Sequence, residues 1–208
     1  MTKSGDPPLV LIVDDDNAVR QALDSLLRSV GYRVRAFSSA DDLLGSGLAA
    51  EGNCLILDIR LPVVSGLDLQ LRLAGEDLQV PVIFMTGHGD IPMTVRAMKA
   101  GAIDFLPKPF REQEMLDAVG AAIEHDRSRR ADAAAQADLR ARFDSLSPRE
   151  REIMTLATSG LMNKQIATRL GLSEITVKIH RGKAMQKMAA RSFANLVQMA
   201  EILGLHAR

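Results

Sequence analysis

Four places in this 208-residue chain carry side chains that could do chemistry together. Asp14, Asp15 and Asp16 form an acidic run, Asp58 stands apart, Thr86 supplies a hydroxyl and Lys108 an ammonium. Each lies at or just past the end of a short apolar run: Leu9–Val13, Cys54–Leu57, Val82–Met85 and Ile103–Leu106. Carboxylates crowded at one place repel unless a divalent cation or raised pKa values relieve them. Their oxygens suit Mg²⁺, which keeps several waters and takes few carboxylates together with a phosphate. An ammonium and a hydroxyl opposite would complete a cradle for a phosphoryl group. Singly, each residue has an ordinary reading, as a helix cap, a turn former or a solvated loop lysine. Their joint placement is what singles them out.

That placement depends on the elements between them. Helical spacing follows the first apolar run (Val19, Leu23, Leu26, Leu27, Val30, then Gly31 as a stop), and Arg33–Phe37 alternates as a further strand. Ser39 can cap a short helix from Ala40 to Leu44, Ile91–Ala100 is helical before Gly101, and Arg111–Ile123 closes the series with Met115, Leu116, Val119 and Ile123 on one face. Five strands alternating with five helices imply a doubly wound α/β fold, a five-stranded parallel sheet covered on both faces, as near-continuous apolar strands require. In such folds ligands gather at the carboxyl ends of the strands. The rule brings Asp14, Asp15, Asp58, Thr86 and Lys108 into one site.

Val13-Asp14-Asp15-Asp16, Leu57-Asp58-Ile59-Arg60-Leu61-Pro62, Met85-Thr86-Gly87-His88-Gly89-Asp90 and Phe105-Leu106-Pro107-Lys108-Pro109-Phe110 together resemble the receiver domain of two-component response regulators. The resemblance implies the CheY/flavodoxin-like fold and makes Asp58 the phosphoacceptor, attacking the phosphohistidine of a sensor histidine kinase. It gives Asp14, Asp15, Asp58 and the backbone carbonyl of Arg60 to Mg²⁺. It makes Thr86 the switch hydroxyl, Lys108 its cationic partner and Phe105 the switch aromatic, and it implies a cis Lys108-Pro109 bond. Gly87-His88-Gly89-Asp90-Ile91-Pro92-Met93 narrows the resemblance to the FixJ-like branch of the NarL/FixJ group. His88, between two glycines, reads as loop geometry rather than as a second base.

The formal net charge is zero, with 26 basic and 26 acidic residues. Divided after Arg140, residues 1–140 hold 15 basic and 21 acidic side chains, a net of −6, and residues 141–208 hold 11 and 5, a net of +6. The two halves suit different partners, one of them polyanionic. Six Phe, one Tyr and no Trp make stacking of single-stranded bases a poor basis for that partner. A single cysteine, Cys54, excludes an intramolecular disulfide and the usual cysteine-based zinc sites. There is no apolar stretch of about 18 residues that could span a membrane. Met1 to Pro8 is polar and lacks the apolar core of a signal peptide, so a cytoplasmic protein is expected.

Residues 1–124 are assigned to the receiver, 125–142 to a linker and 143–208 to a small all-α domain of four helices. The linker has no Gly or Pro and is rich in alanine and charge, which favours a helix. In the basic half, Ser147-Pro148-Arg149-Glu150 is a capping box with proline at the first helical position. Asn163 is expected to cap the next helix, Lys164–Leu170, and Ser173 a third, running to about Met188 after a Gly171-Leu172 turn. Ser192 caps a fourth, Phe193–Leu203. Two helices around a tight glycine turn have the helix-turn-helix arrangement. On the third helix, Val177, Ala184, Met185 and Met188 are spaced to pack inward. Ile175, Lys178, Ile179 and Gly182 share another face beside Arg181 and Lys183, and isoleucine with lysine suits the major groove of double-stranded DNA.

Leu146-Ser147-Pro148-Arg149-Glu150-Arg151-Glu152, Asn163-Lys164-Gln165-Ile166-Ala167 and Ser173-Glu174-Ile175-Thr176-Val177-Lys178-Ile179-His180-Arg181 resemble the LuxR-type DNA-binding domain. By that resemblance Lys178 and Ile179 reach bases, while Asn163, Lys164, Thr176, His180 and Arg181 sit near phosphates or support the helix; Lys183 lies beside them. Gly182 departs from relatives that carry Lys or another polar residue there. The expectation is a phosphorylation-dependent transcription factor: a homodimer on phosphorylation that reads paired DNA half-sites, with RNA polymerase as a further partner and no enzymatic activity beyond its own phosphotransfer and dephosphorylation. Two rivals use the same residues. Aspartyl-nucleophile phosphatases share the Asp, Thr and Lys chemistry but carry a second acid two residues after the nucleophile, where this chain has Arg60. A receiver could also act without phosphate, purely as a protein-interaction module.

Overall fold

Buried strands need apolar side chains on both faces, and those of the N-terminal unit have them. In the computed structural model, residues 6–76, 78–87 and 91–205 are described; His88, Gly89 and Asp90 lie outside them. The chain divides into two units, Met1–Arg129 and Arg130–Arg208. The first contains β1 (Leu9–Val13), α1 (Asn17–Ser29), β2 (Arg33–Phe37), α2 (Ala40–Ser46), β3 (Cys54–Asp58), α3 (Gly66–Gly75), β4 (Val82–Thr86), α4 (Ile91–Lys99), β5 (Asp104–Pro107) and the start of α5 (Glu112–Asp144). All strand pairs are parallel, in the order β2-β1-β3-β4-β5.

Alternation along each strand divides the core between the two faces. Leu9, Leu11, Val13, Leu55, Leu57, Val82 and Phe84 pack with Leu43 of α2, Leu69 and Leu73 of α3 and Ala97 of α4. Val10, Ile12, Val34, Ile56, Ile83 and Met85 point the other way, onto Leu23 and Leu27 of α1 and Met115, Val119 and Ala122 of α5. Each large side chain buried in this way stabilises the fold by about 1.5–3 kcal/mol. Cys54 belongs to the second layer; it is fully buried, and desolvation pushes its thiol well above the ordinary range, as an inert core residue.

A polar staple fixes α5 at the opposite end of the sheet from the acidic run. The Leu9 N–H donates to Asn53 Oδ1 (2.8 Å), Asn53 Nδ2 donates to Asp126 Oδ2 (2.9 Å), and Arg129 Nη2 donates to Asp126 Oδ1 (2.7 Å). Asp126 is fully buried, so this pairing is what makes its burial tolerable. The helix covers all of residues 125–142, and side chains 131–138 are exposed.

The second unit holds the end of α5, α6 (Pro148–Thr158), α7 (Asn163–Leu170), α8 (Glu174–Lys187) and α9 (Phe193–Ile202). Ser147 and Glu150 form the expected capping box, Ser173 caps α8 and Ser192 caps α9. Helix α8 is shared by two apolar clusters. Val177 packs with Ile153, Leu156 and Ile166, whereas Ala184 and Met188 pack with Phe143, Met154, Leu196 and Ala200. Gly171 ends α7 at φ +64°, a left-handed conformation that suits glycine in the tight turn before α8. One expectation fails here. Asn163 is the first residue of α7 rather than its cap; Met162 holds that place, its N–H donating to Gln165 Oε1 at 2.8 Å. A glutamine three residues on supplies the cap that a polar side chain was expected to give.

Candidate functional site

The acidic pocket forms because β1, β3, β4 and β5 end side by side. Asp14 follows β1, Asp58 is the last residue of β3, Thr86 is the last of β4, and Lys108 follows β5. Asp14 and Thr86 are fully buried, Asp58 is nearly so, and Asp15 is exposed. One carboxylate oxygen from each of Asp14, Asp15 and Asp58 lies within 4.8 Å of the others. The Lys108 ammonium reaches into the same space, donating to Asp14 Oδ2 at 2.7 Å and Asp58 Oδ2 at 2.9 Å. Burial pushes the Asp14 carboxyl above its usual range, against the opposing pull of Lys108. Burial disfavours the Lys108 charge, yet its hydrogen bonds to Asp14 and Asp58 prevail and its pKa is raised.

Backbone donors hold the remaining oxygens. The Asp16 N–H donates to Asp14 Oδ1 (2.8 Å) and the Arg60 N–H to Asp58 Oδ1 (3.0 Å). Lys108 is itself placed by its N–H, which donates to the Thr86 carbonyl at 2.7 Å, and its bond to Pro109 is cis. Phe105 is half-buried on β5, beside Phe84 in register and against the core layer of α2–α4. The side chain of Arg60 is exposed.

Two residues that sequence reasoning passed over, Arg20 and Gly66, support the pocket, and one member of the acidic run, Asp16, takes another role. Asp16 caps α1, accepting from the Ala18 N–H at 2.7 Å, so it serves the helix while its neighbours face the site. Arg20, one turn into α1, donates to the Asp14 carbonyl at 2.6 Å. Gly66 opens α3 so close beneath Asp58 that a Cβ there would stand 2.5 Å from the Asp58 carbonyl oxygen. The only sequence signal for Gly66 is a glycine directly after the Ser65 cap.

Three carboxylate oxygens converging on one point are a donor set typical of a divalent hard cation, and the Lys108 ammonium beside them, with Thr86 ending the adjacent strand, suits a dianionic group. The buried pairing is poised rather than inert, because Lys108 balances two carboxylates at once.

In the second unit, the face of α8 away from the core carries Ile175, Lys178, Ile179, Gly182 and Lys183, all exposed. Lys164 on α7 is exposed as well. No ion pair among the described residues involves Lys164, Lys178 or Lys183, whereas Arg142, Arg149, Arg151 and Lys187 pair with Asp138, Glu152, Asp144 and Glu150. Unpaired ammonium groups on one face make an electrostatic footprint for a polyanion. Arg181 is held back from that face, donating to Asn163 Oδ1 at 3.0 Å and lying over the Phe193 ring at 5.4 Å. Thr176 is half-buried, its hydroxyl 2.8 Å from that of Ser173, and His180 is half-buried with Nδ1 enclosed. Asn163 and Arg181 thus join α7 to α8 and Thr176 supports the α8 cap, while Lys164, Lys178, Ile179 and Lys183 project from the pair.

Glu150 ties this frame together. It accepts from the Ser147 N–H at 2.9 Å and from Lys187 Nζ at 2.7 Å, joining the start of α6 to the end of α8. The Lys187 hydrogen bond, with that of Ser147, holds its carboxyl below the usual range. The capping box signals the first contact in sequence; the second, across 37 residues, has no local signal.

Residues 10–120 match the response regulator receiver domain family, and residues 144–200 match the LuxR family of bacterial regulatory proteins. Nodulation protein W of Bradyrhizobium diazoefficiens is 55% identical over 206 residues, 99% of this chain and 91% of that protein. Transcriptional regulatory protein FixJ of Rhizobium meliloti is 41% identical over 191 residues, covering 92% and 94% of the two. The structure of response regulator StyR superposes with a TM-score of 0.84 at 49% identity, over 94% of this chain and 98% of that one. No helix among the described residues is long and apolar enough to cross a membrane. An aspartate–lysine pocket at the strand ends, followed by a helix-turn-helix with an exposed basic face, is what these relationships lead one to expect: the chain belongs to the FixJ/NodW-type response regulators, transcription factors that join a receiver domain to a LuxR-type DNA-binding domain.

Proposed function

We propose that a sensor histidine kinase phosphorylates Asp58, and that the phosphorylated chain dimerises and binds its DNA sites more tightly. The observation that carries this reading is the Lys108 ammonium held between Asp14 and Asp58, with Thr86 ending the adjacent strand. An Asp58 carboxylate oxygen attacks the phosphorus of the phosphohistidine; the new O–P bond forms as the P–N bond breaks, and its electron pair leaves with the imidazole nitrogen. Lys108 balances charge on the transferred oxygens, and the Thr86 hydroxyl donates to one of them. Asp14, Asp15, Asp58 and the Arg60 carbonyl would hold Mg²⁺, which when bound neutralises charge on the phosphoryl oxygens.

Binding of the phosphoryl group by Thr86 shifts Phe105 and with it the α4–β5 surface, residues 91–106, which serves as the dimer face. The group acts only through its preference for the active conformer. A dimer presents two α8 helices to half-sites about one turn of DNA apart, from which RNA polymerase is recruited or blocked. The chemistry ends on the chain's own Asp58: the exposed Arg60 stands where a phosphatase would carry the acid that protonates a leaving group.

Incubation with acetyl phosphate and Mg²⁺, followed by intact-mass measurement, tests the assignment. One phosphoryl group is expected on the wild-type chain and none on Asp58→Asn. Normal labelling of Asp58→Asn would overturn it, and an unlabelled wild type would favour a receiver that works purely through protein contacts.

A further inference from the structure

The exposed isoleucines of α8 are left over once the fold is accounted for. Ile175 is 73% exposed and Ile179 52% exposed, one helical turn apart on the face that carries Lys178. The packing of α8 is complete without them, because Val177, Ala184 and Met188 fill the two clusters of the unit. A lone exposed isoleucine is ordinary, but two stacked on one face form an apolar ridge. The ridge is bordered by the ammonium groups of Lys178 and Lys183, which no ion pair engages among the described residues, and it continues to Gly182, beyond which lies open space. Apolar atoms flanked by free cations match the floor and walls of a major groove: thymine C5-methyl groups between phosphates.

We infer that Ile175 is a specificity-determining residue, a second apolar base reader that packs on a thymine methyl group one turn of α8 before the one met by Ile179. The inference rests on the DNA-binding reading of this domain. Four residues of helix advance about 6 Å, close to two base-pair steps, so the half-site carries thymines within about three base pairs of each other. Gly182, with no side chain to project, lets the backbone approach the groove on the same line. A methyl group buried in this way contributes about fourfold in affinity.

The test selects bound sequences from a random duplex pool with the full chain, treated with acetyl phosphate and Mg²⁺, and then replaces each selected thymine by deoxyuridine, which removes only the methyl group. The wild type is expected to lose about fourfold in affinity at two thymine positions. In Ile175→Ala one of these penalties disappears and the other stays, while Ile175→Val retains both. Alanine is the better helix former and Ile175 is exposed, so the variant keeps its fold, which its thermal melt checks. Equal deoxyuridine penalties in wild type and Ile175→Ala would overturn the assignment and leave the ridge to a protein partner. Failure of the wild type to enrich any motif would overturn the DNA reading itself, and the assignment with it.

Discussion

The strand-end pocket and the exposed face of α8 handle charge in opposite ways. In the pocket, Lys108 is bonded to both Asp14 and Asp58, and the two carboxylates are buried or nearly so. On α8, Lys178 and Lys183 stand in solvent with no ion pair among the described residues. A glycine in each region shows the same contrast. Gly66 is required by close approach, since a Cβ there would meet the Asp58 carbonyl at 2.5 Å, whereas Gly182 has nothing within 4 Å. A site that works by rearranging its own charges must be tightly determined beforehand. A site that works by presenting groups to a partner keeps them unpaired, and the protein frame behind it carries the order.

Substitutions in each region test that contrast. Gly66→Ala should be the most damaging, destabilising the N-terminal unit by about 2–3 kcal/mol through overpacking beneath Asp58 and slowing phosphorylation by acetyl phosphate; urea unfolding and the labelling rate measure the two effects. Glu150→Gln should cost about 1–2 kcal/mol at neutral pH, since it weakens the α6 cap and removes the Lys187 pair. Because the folded-state pKa of Glu150 lies below its ordinary value of 4.5, this contribution is fully present above pH 4.5 and is lost as pH falls through the depressed value. Melting curves of the two proteins should therefore converge in acid. Gly182→Ala should raise stability by about 0.5–1 kcal/mol, because the new methyl meets no neighbour and the helix gains propensity; no gain in urea midpoint would mean that α8 is constrained there by something other than space. Lys183→Ala should leave the fold unchanged and lower the slope of log affinity against log salt by about one, as expected of a single phosphate contact.

What sequence patterns reveal depends on whether the signal is local. The strands were legible because β1, β3 and β4 are buried on both faces and so read as apolar runs, and the pocket followed from the rule for strand ends. Helix α3 is the element without a clear helical pattern. Leu67-Asp68-Leu69-Gln70-Leu71-Arg72-Leu73 alternates like a strand, yet it folds as a helix after the Ser65 cap, leaving Leu71 exposed and burying Gln70, whose Nε2 donates to the Ala100 carbonyl at 3.0 Å. Tertiary packing overrides the period there. Asn163 has the residue type of a cap, yet its partner is Arg181, 18 residues away. The Asn53–Asp126 and Glu150–Lys187 contacts were invisible for the same reason: each joins residues far apart in sequence.

The proposed function couples the paired charges of the pocket to the unpaired charges of α8 through phosphorylation of Asp58. Its most direct measurement is the affinity of the full chain for a selected DNA site, with and without acetyl phosphate and Mg²⁺, in wild type and Asp58→Asn. Tighter binding on phosphorylation of the wild type, with no change in Asp58→Asn, is the expected result. Identical affinities for the phosphorylated and unphosphorylated wild type would contradict it.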